Sequence, residues 1–280
     1  MYSVLGISKQ AHHKAICRER ALLEVEKKII QVCDGTRKVH HRMGCRKIYE
    51  YFNNDLPIGR DKFMLQCRSL GLIIKRKRSP HITTDSSGKR IFPNLSDGLQ
   101  LTGPNQLWQS DIFYVPHEGK HRYGFTIIDV YSRKLLALEL AENLRAENLY
   151  SAIEQAIKCR KGNDLKGCIF HSDGGKQYEE EKVQKLLLSN GLKQSMCARA
   201  QQNAYVERVQ GTIKHEYLYC LDEKFTLKKK FKEALKRYNK ARPHNSLNGL
   251  SPEAFEQRIQ TIRKRPRMQV YQWKEPKLVF

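Results

Sequence analysis

Three carboxylates sit where a catalytic acid would be placed rather than a solvated charge. Asp111 lies within LWQSDIFYV, Asp173 closes the run CIFHSD ahead of GGKQY, and Glu207 lies in QNAYVERVQGTIKHE. Aspartate and glutamate are rarely buried without a partner, so carboxylates in apolar, strand-like runs need a counter-charge. A divalent cation is one candidate. Magnesium is small and octahedral and keeps several waters, so a few carboxylates and a substrate phosphate complete its shell. Two such ions about 3.5–4 Å apart activate an attacking oxygen and stabilise a leaving one. Taken singly, Asp111 and Asp173 could cap turns or pair with lysines, and Glu207 could be a surface helix residue. All three at suitable ends of one mixed sheet favour the metal.

The elements that must position them follow from the hydrophobic pattern. Strand-like segments at about 108–115, 122–130 and 133–140 are separated by PHEGK and YSRK turns. A helix (145–160), a strand (168–172), a helix (179–189), a short strand (192–196) and a longer helix (203–220) follow. Asp111 then falls in the first strand and Asp173 just past the fourth, where Gly174 and Gly175 turn the chain away. On the last helix, Val206, Val209, Ile213, Tyr217 and Cys220 form one stripe at about 100° per residue, while Asn203, Glu207, Gly211 and Lys214 form another. The glutamate thus shares a face with a lysine and with a glycine that permits close backbone approach. Three antiparallel strands followed by alternating helices and strands predict an α/β fold, a mixed five-stranded sheet with flanking helices.

Ahead of this unit, residues 8–34 carry a helical pattern. Two short helices, about 45–53 and 59–70, flank a turn containing Asn54, Asp55 and Pro57, which predicts a helix-turn-helix. The expected organisation is a helical region (1–74), a basic linker (75–104), a catalytic core (105–220) and a basic helical C-terminal segment (221–280).

Charge is distributed unevenly along the 280 residues, whose formal net charge is +23. Residues 1–80 hold 18 Lys/Arg against 7 Asp/Glu, residues 100–220 hold 16 against 14, and residues 221–280 hold 16 against 6. Basic flanks around a near-neutral centre suit a polyanion partner, with the flanks on phosphates and the carboxylates kept in the middle. No run approaches the ~18 apolar residues of a membrane span, and the N-terminus has no apolar segment with a small-residue cleavage site. The eight cysteines are scattered singly, with no C-x-x-C pair, and read as reduced thiols of a cytoplasmic protein.

Four motifs, in order, carry a resemblance over nearly the whole chain. They are MGCRKIYEYF…IGRDKFMLQCRSLGL, LWQSDIFYV, the pair HSDGGKQY and NAYVERVQGTIKHE, and YNKARPHNSLNGLSP. Together they resemble the orfB transposases of IS3-family insertion sequences, within the DDE transposase and retroviral-integrase superfamily. The resemblance implies an RNase H-like core that binds two Mg²⁺, with Mn²⁺ as a substitute, through Asp111, Asp173 and Glu207. It implies nicking of the element's 3′ ends by water and strand transfer by the new 3′-OH, with no covalent protein–DNA intermediate. The implied partners are element ends and target DNA, a homo-oligomer on DNA and an upstream orfA product or fusion, at the bacterial nucleoid.

Lys214, Arg208, Asn203, Gly211, Arg242 and His244 are the candidate DNA contacts of the core. Arg60 and Lys62 are those of the helix-turn-helix, and Lys75, Arg76, Lys77 and Arg78 those of the linker. Asp129 reads as structural, paired near Arg133. His171 and His244 read as positioning or phosphate groups, because a two-metal site needs no base. His12, His13, Cys17, Cys33, His40, His41 and Cys45 fit a zinc module poorly in their spacing, so no zinc is expected. The alternatives from other classes are a nuclease that cleaves without joining, and a non-catalytic DNA-binding regulator or decayed copy.

Overall fold

The computed structural model describes residues 6, 8–74, 91–197, 200–221 and 224–270. The basic run Lys75–Arg78 lies outside them. The chain divides into two compact units, Met1–Ser79 and Pro80–Phe280.

The first unit is helical, with α1 (Lys9–Val39), α2 (Cys45–Phe52) and α3 (Arg60–Ser69). The Ser8 hydroxyl caps α1 by accepting from the Ala11 N–H at 3.1 Å. Between α2 and α3 the chain makes a 3₁₀ turn at Asn53–Asp55, where the sequence placed the turn of a helix-turn-helix. A small core of Ile29, Cys33, Met43, Cys45, Ile48, Leu56, Phe63 and Cys67 joins the three helices. Arg37 on α1 donates to the Leu72 carbonyl at 2.8 Å and to the Cys45 sulfur at 3.3 Å. Hydrogen bonds from Cys33 and Cys67, and then Arg37, hold the Cys45 thiol far below its ordinary range. The same hydrogen bonds push Cys33 and Cys67 up.

The second unit is built on one sheet in the order β4-β3-β2-β5-β6, from β2 (Leu107–His117), β3 (Lys120–Asp129), β4 (Leu135–Ala141), β5 (Ile169–Ser172) and β6 (Lys193–Met196). Strands β2, β3 and β4 are antiparallel neighbours, and β5 and β6 run parallel to β2. This is the mixed five-stranded sheet the hydrophobic pattern predicts. Helices α4 (Ala146–Cys159) and α5 (Glu181–Ser189) cover one face, with Ile153 and Leu187 packed in one cluster with Trp108, Phe125, Ile127 and Phe170 of the sheet. Helices α6 (Ala204–Thr212), α7 (Leu227–Lys240) and α8 (Pro252–Thr261) cover the other, with Val206, Phe231, Tyr238 and Phe255 clustered with Phe113, Val115 and Ile128. With both faces covered, the central strands read as near-continuous apolar runs.

Two expected boundaries shift. Residues 91–104, expected as linker, belong to this unit. Leu101 lies in its core, the Leu95 N–H donates to the Ser195 hydroxyl at 2.8 Å, and β1 (Gln100–Leu101) pairs antiparallel with β7 (Met268–Gln269). The C-terminal segment is likewise part of the core, because α7 and α8 supply the apolar face that closes over the sheet.

Asp129 is structural, as expected, but its partner is Arg160 rather than Arg133. It is fully buried at the end of β3, accepts from the Asn105 and Ser132 backbone N–H groups at 2.7 and 3.0 Å, and pairs with Arg160 at 3.1 Å. Arg160 also grips Glu256 of α8 at 2.6 Å. Arg133 instead stacks on the Tyr205 ring, 4.3 Å from its centroid. Removing one partner of a buried pair leaves an uncompensated charge. Arg160→Ala should therefore cost about 3–5 kcal/mol, measured as a lowered urea midpoint of the full chain.

Candidate active site

The site is set by register before any side chain is considered. Gln109 of β2 stands opposite His171 of β5 in the parallel pair. Asp111 follows two residues later within β2 and so shares the Gln109 face, the side of α6, while Asp173 follows His171 by two residues, just past the end of β5, close enough for its charge to act on Asp111. Gly175 lets the chain turn at this point. A Cβ there would stand 2.9 Å from the Gln177 side-chain oxygen and 3.3 Å from an Asp173 carboxylate oxygen, and the Gly175 N–H donates to that carboxylate at 3.3 Å.

Glu207 is brought in by α6, and α6 is fastened to β2 by two amides. The Gln109 side chain accepts from the Val206 N–H at 3.2 Å and donates to the Gln202 carbonyl at 2.9 Å. Asn203 donates to the Ser110 carbonyl at 2.9 Å. Val206 is in the first turn, so Gln109 satisfies one of the N–H groups every helix start leaves open. Glu207 in that turn also meets the positive end of the helix dipole. Gln109 is fully buried and was not singled out in the sequence; its position two residues before Asp111 was the available signal.

The electrostatics are those of a negative cluster with no ion-paired cation among the described residues. Asp111 is pushed up to about 7, first by burial and then by the charge of Asp173, with Glu207 adding to the effect. Burial also raises Asp173, and burial followed by the Asp173 charge raises Glu207. None of the three forms an ion pair among the described residues. Asp129, Glu216 and Glu256, by contrast, each pair with an arginine. The Thr126 hydroxyl, on the residue opposite Asp111, is buried without a hydrogen-bond partner, while the Gln210 side chain interacts with the Asp111 carboxylate and partly offsets its rise. Hard oxygen donors with unrelieved negative charge fit a divalent cation. The oxygens do not crowd together, however. Among the described residues, only Cys33, Cys45 and Cys67 form a set of three potential ligands all within 4.8 Å of one another.

Lys214 completes the surroundings. It lies in a π-helical segment, Ile213–Leu218, that continues α6, a distortion frequent at functional sites. Its ammonium sits 5.0 Å from the Phe113 ring centroid. Burial lowers its pKa while Asp111 opposes that change. Phe113 lies across Gly124, where a Cβ would come within 2.3 Å of the ring, and stacks on Phe231 at 6.1 Å.

The other expected residues divide by exposure. Arg208, Arg60 and Lys62 are exposed, and Gly211 faces open space. Asn203, Arg242 and His244, expected as DNA contacts, are buried and engaged with other parts of the protein. Asn203 locks α6 as described. Arg242 makes a bidentate pair with Glu216 at 2.7 Å, and His244 packs edge-on against Tyr238. His171 is fully buried between the Ser195 and Ser96 hydroxyls and is lowered to about 4 by burial, so it is a neutral positioning group.

Comparison with known proteins decides the family. Residues 102–202 match one model described as an integrase core domain and residues 191–252 match another, together spanning more than half the chain. The chain is 28% identical over 275 residues to the uncharacterized 31 kDa protein of insertion element IS600 from Shigella sonnei, covering 92% of this chain and 98% of that one. It is also 28% identical over 265 residues to the putative transposase InsK of IS150 from Escherichia coli (strain K12), covering 91% and 89%. The chain belongs to the integrase-core family and is an IS3-type DDE transposase. A chain in the simian T-cell lymphotropic virus intasome structure, in complex with PP2A regulatory subunit B56 gamma, shares the fold at TM-score 0.53. It is 15% identical, covering 85% of the transposase and 76% of that chain.

The raised carboxylates set a pH dependence for the metal-free transposase. Asp111 has a folded pKa near 7 against about 3.9 unfolded. The cost of its ionisation is therefore fully present above pH 7 and is relieved as pH falls from about 7 toward 4. Asp111→Asn removes that cost. Without divalent metal it should be more stable than the parent by about 1–2 kcal/mol at pH 8, with the advantage nearly gone by about pH 4. Urea unfolding at the two pH values measures this; equal advantages at both would refute it.

Proposed function

We propose that Asp111, Asp173 and Glu207 hold two Mg²⁺ ions, with Mn²⁺ able to substitute, and that they catalyse excision nicking and strand transfer at insertion-sequence ends. The observation that carries this reading is the gathering of these carboxylates on β2, just past β5 and on the facing helix, with raised pKa values and no ion-pair partner among the described residues. When bound, the ions supply Lewis-acid stabilisation of the attacking and leaving oxygens.

The chain's own residues have separate tasks. Asp111 and Asp173 fix the site to the rigid sheet, and Glu207 closes it from α6. Gln109 and Asn203 keep that helix at a constant distance from β2. Lys214 and the exposed Arg208 bind the phosphates that flank the scissile bond, and Gly211 leaves room for the strand to lie close to the helix. In the first step the oxygen of water bonds to phosphorus and the P–O3′ bond breaks, freeing a 3′-OH at the element end. That 3′-OH then attacks a phosphodiester of the target, so one P–O bond forms as another breaks and no external energy source is needed.

Arg60 and Lys62, at the start of α3, contact DNA phosphates as part of the helix-turn-helix. The basic run Lys75–Arg78 follows the backbone. The transposase acts on DNA as a homo-oligomer, with an upstream orfA product or as its fusion, in the bacterial cytoplasm and at the nucleoid.

A labelled, pre-nicked duplex bearing an element end tests the reading. Asp111→Asn, Asp173→Asn and Glu207→Gln should each lower cleavage and strand transfer by roughly 10³-fold, with gel-shift affinity unchanged. Cleavage with no joined product would make the protein a nuclease, and binding with unchanged cleavage in the variants would remove the metal site altogether. Arg60→Ala and Lys62→Ala should each reduce the slope of log K against log salt by about 1.

A further inference from the structure

The sequence offers no paired cysteine motif, yet the first unit gathers three sulfurs. Cys33 comes from α1, Cys45 from the first turn of α2 and Cys67 from α3. Their side chains are buried, and the three Sγ atoms all lie within 4.8 Å of one another. We propose that Cys33, Cys45 and Cys67 form a structural site for a thiophilic divalent cation, with Zn²⁺ as the physiological ion, separate from the carboxylate site.

Three arguments carry it. The first is geometric. Zn–S bonds of about 2.3 Å at tetrahedral angles place sulfurs ~3.8 Å apart, so small rotamer adjustments close the site around an ion. A disulfide needs about 2.05 Å between two sulfurs and would leave the third unmatched.

The second argument is charge. Three thiolates and a dication leave one negative charge in a buried place. The Arg37 guanidinium, a donor only, points at the Cys45 sulfur from 3.3 Å and cancels it. The Leu72 carbonyl oxygen, 3.3 Å from that sulfur, already accepts from Arg37 at 2.8 Å, so a water supplies the fourth donor. The ion replaces the thiol protons, which pass to solvent.

The third is size. The first unit has a core of only a few large apolar side chains, and small domains of this kind commonly depend on a metal or other cross-link. A single ion bound by all three helices would fix how α3 is presented relative to α1 and α2.

Co²⁺ titration of the reduced, chelator-treated full-length protein tests the proposal. A sulfur-to-cobalt charge-transfer band should saturate near one equivalent and be displaced by Zn²⁺. Zn²⁺ should raise the first unit's melting temperature by roughly 5 °C or more. The band should persist in Asp111→Asn and in Cys17→Ser, which changes an exposed cysteine, and should be lost in Cys33→Ser and Cys67→Ser. Should those variants fail to fold, the parent protein still decides. In mild denaturant, Zn²⁺ should shield three thiols from alkylation. No charge-transfer band, no shielding, or a disulfide between two of the three after anaerobic reducing preparation would each overturn the site.

Discussion

Unrelieved negative charge is the constraint on which the second unit is organised. A sheet covered on both faces is a poor place for a carboxylate, and the fold tolerates three only at the edge of the covered region. There β2 and β5 run side by side and the chain turns away at Gly175. Elsewhere the same unit neutralises its buried acids with arginine: Asp129 and Glu256 share Arg160, and Glu216 takes Arg242. The contrast is informative because the paired acids have largely buried side chains, whereas Asp111 and Asp173 are half-buried and Glu207 is exposed. Where the protein supplies the counter-charge, the acid holds elements together. Where it does not, the counter-charge must come from outside, and the carboxylates remain available for chemistry.

Such a cluster works only if its geometry is independent of the ions it awaits. Like charges push apart, so the helix bearing Glu207 needs a restraint that carries no charge itself. Gln109 and Asn203 provide one with neutral amides, each joined to a backbone group across the boundary between β2 and α6. Neutral hydrogen bonds are not weakened when the carboxylates ionise or when salt concentration changes. This placement also explains the burial of Asn203. Its amide cannot both lock the helix and meet a phosphate.

Most of the elements were legible because their signals are local. The hairpin of β2 and β3 alternates or runs apolar for most of its length, and the helices carry a clear 3.6-residue stripe. The three acids stood out because carboxylates in or beside apolar runs violate a strong rule of burial. What could not be read locally depends on partners distant in sequence. Asn203, Arg242 and His244 look like surface groups until Ser110, Glu216 and Tyr238 are placed beside them. The β1–β7 pair is two residues long on each side and gives no periodic signal. The partner of Asp129 was misread for the same reason: Arg133 is near in sequence, whereas Arg160 arrives at the end of α4.

The π-helical segment after α6 shows how one local irregularity serves the site. In an uninterrupted α-helix the face bearing Glu207 would rotate by about 20° per heptad relative to a fixed neighbour. The wider turn over Ile213–Leu218 shifts that progression just where Lys214 must face the sheet. Its ammonium then rests against Phe113, whose ring has room because residue 124 is glycine. The Phe113 ring and burial restrain the lysine close enough to Asp111 to feel its charge, yet no direct ion pair forms between them. A true pair would neutralise the carboxylate and take the place of any other counter-charge. Held at this remove, Lys214 leaves Asp111 unpaired.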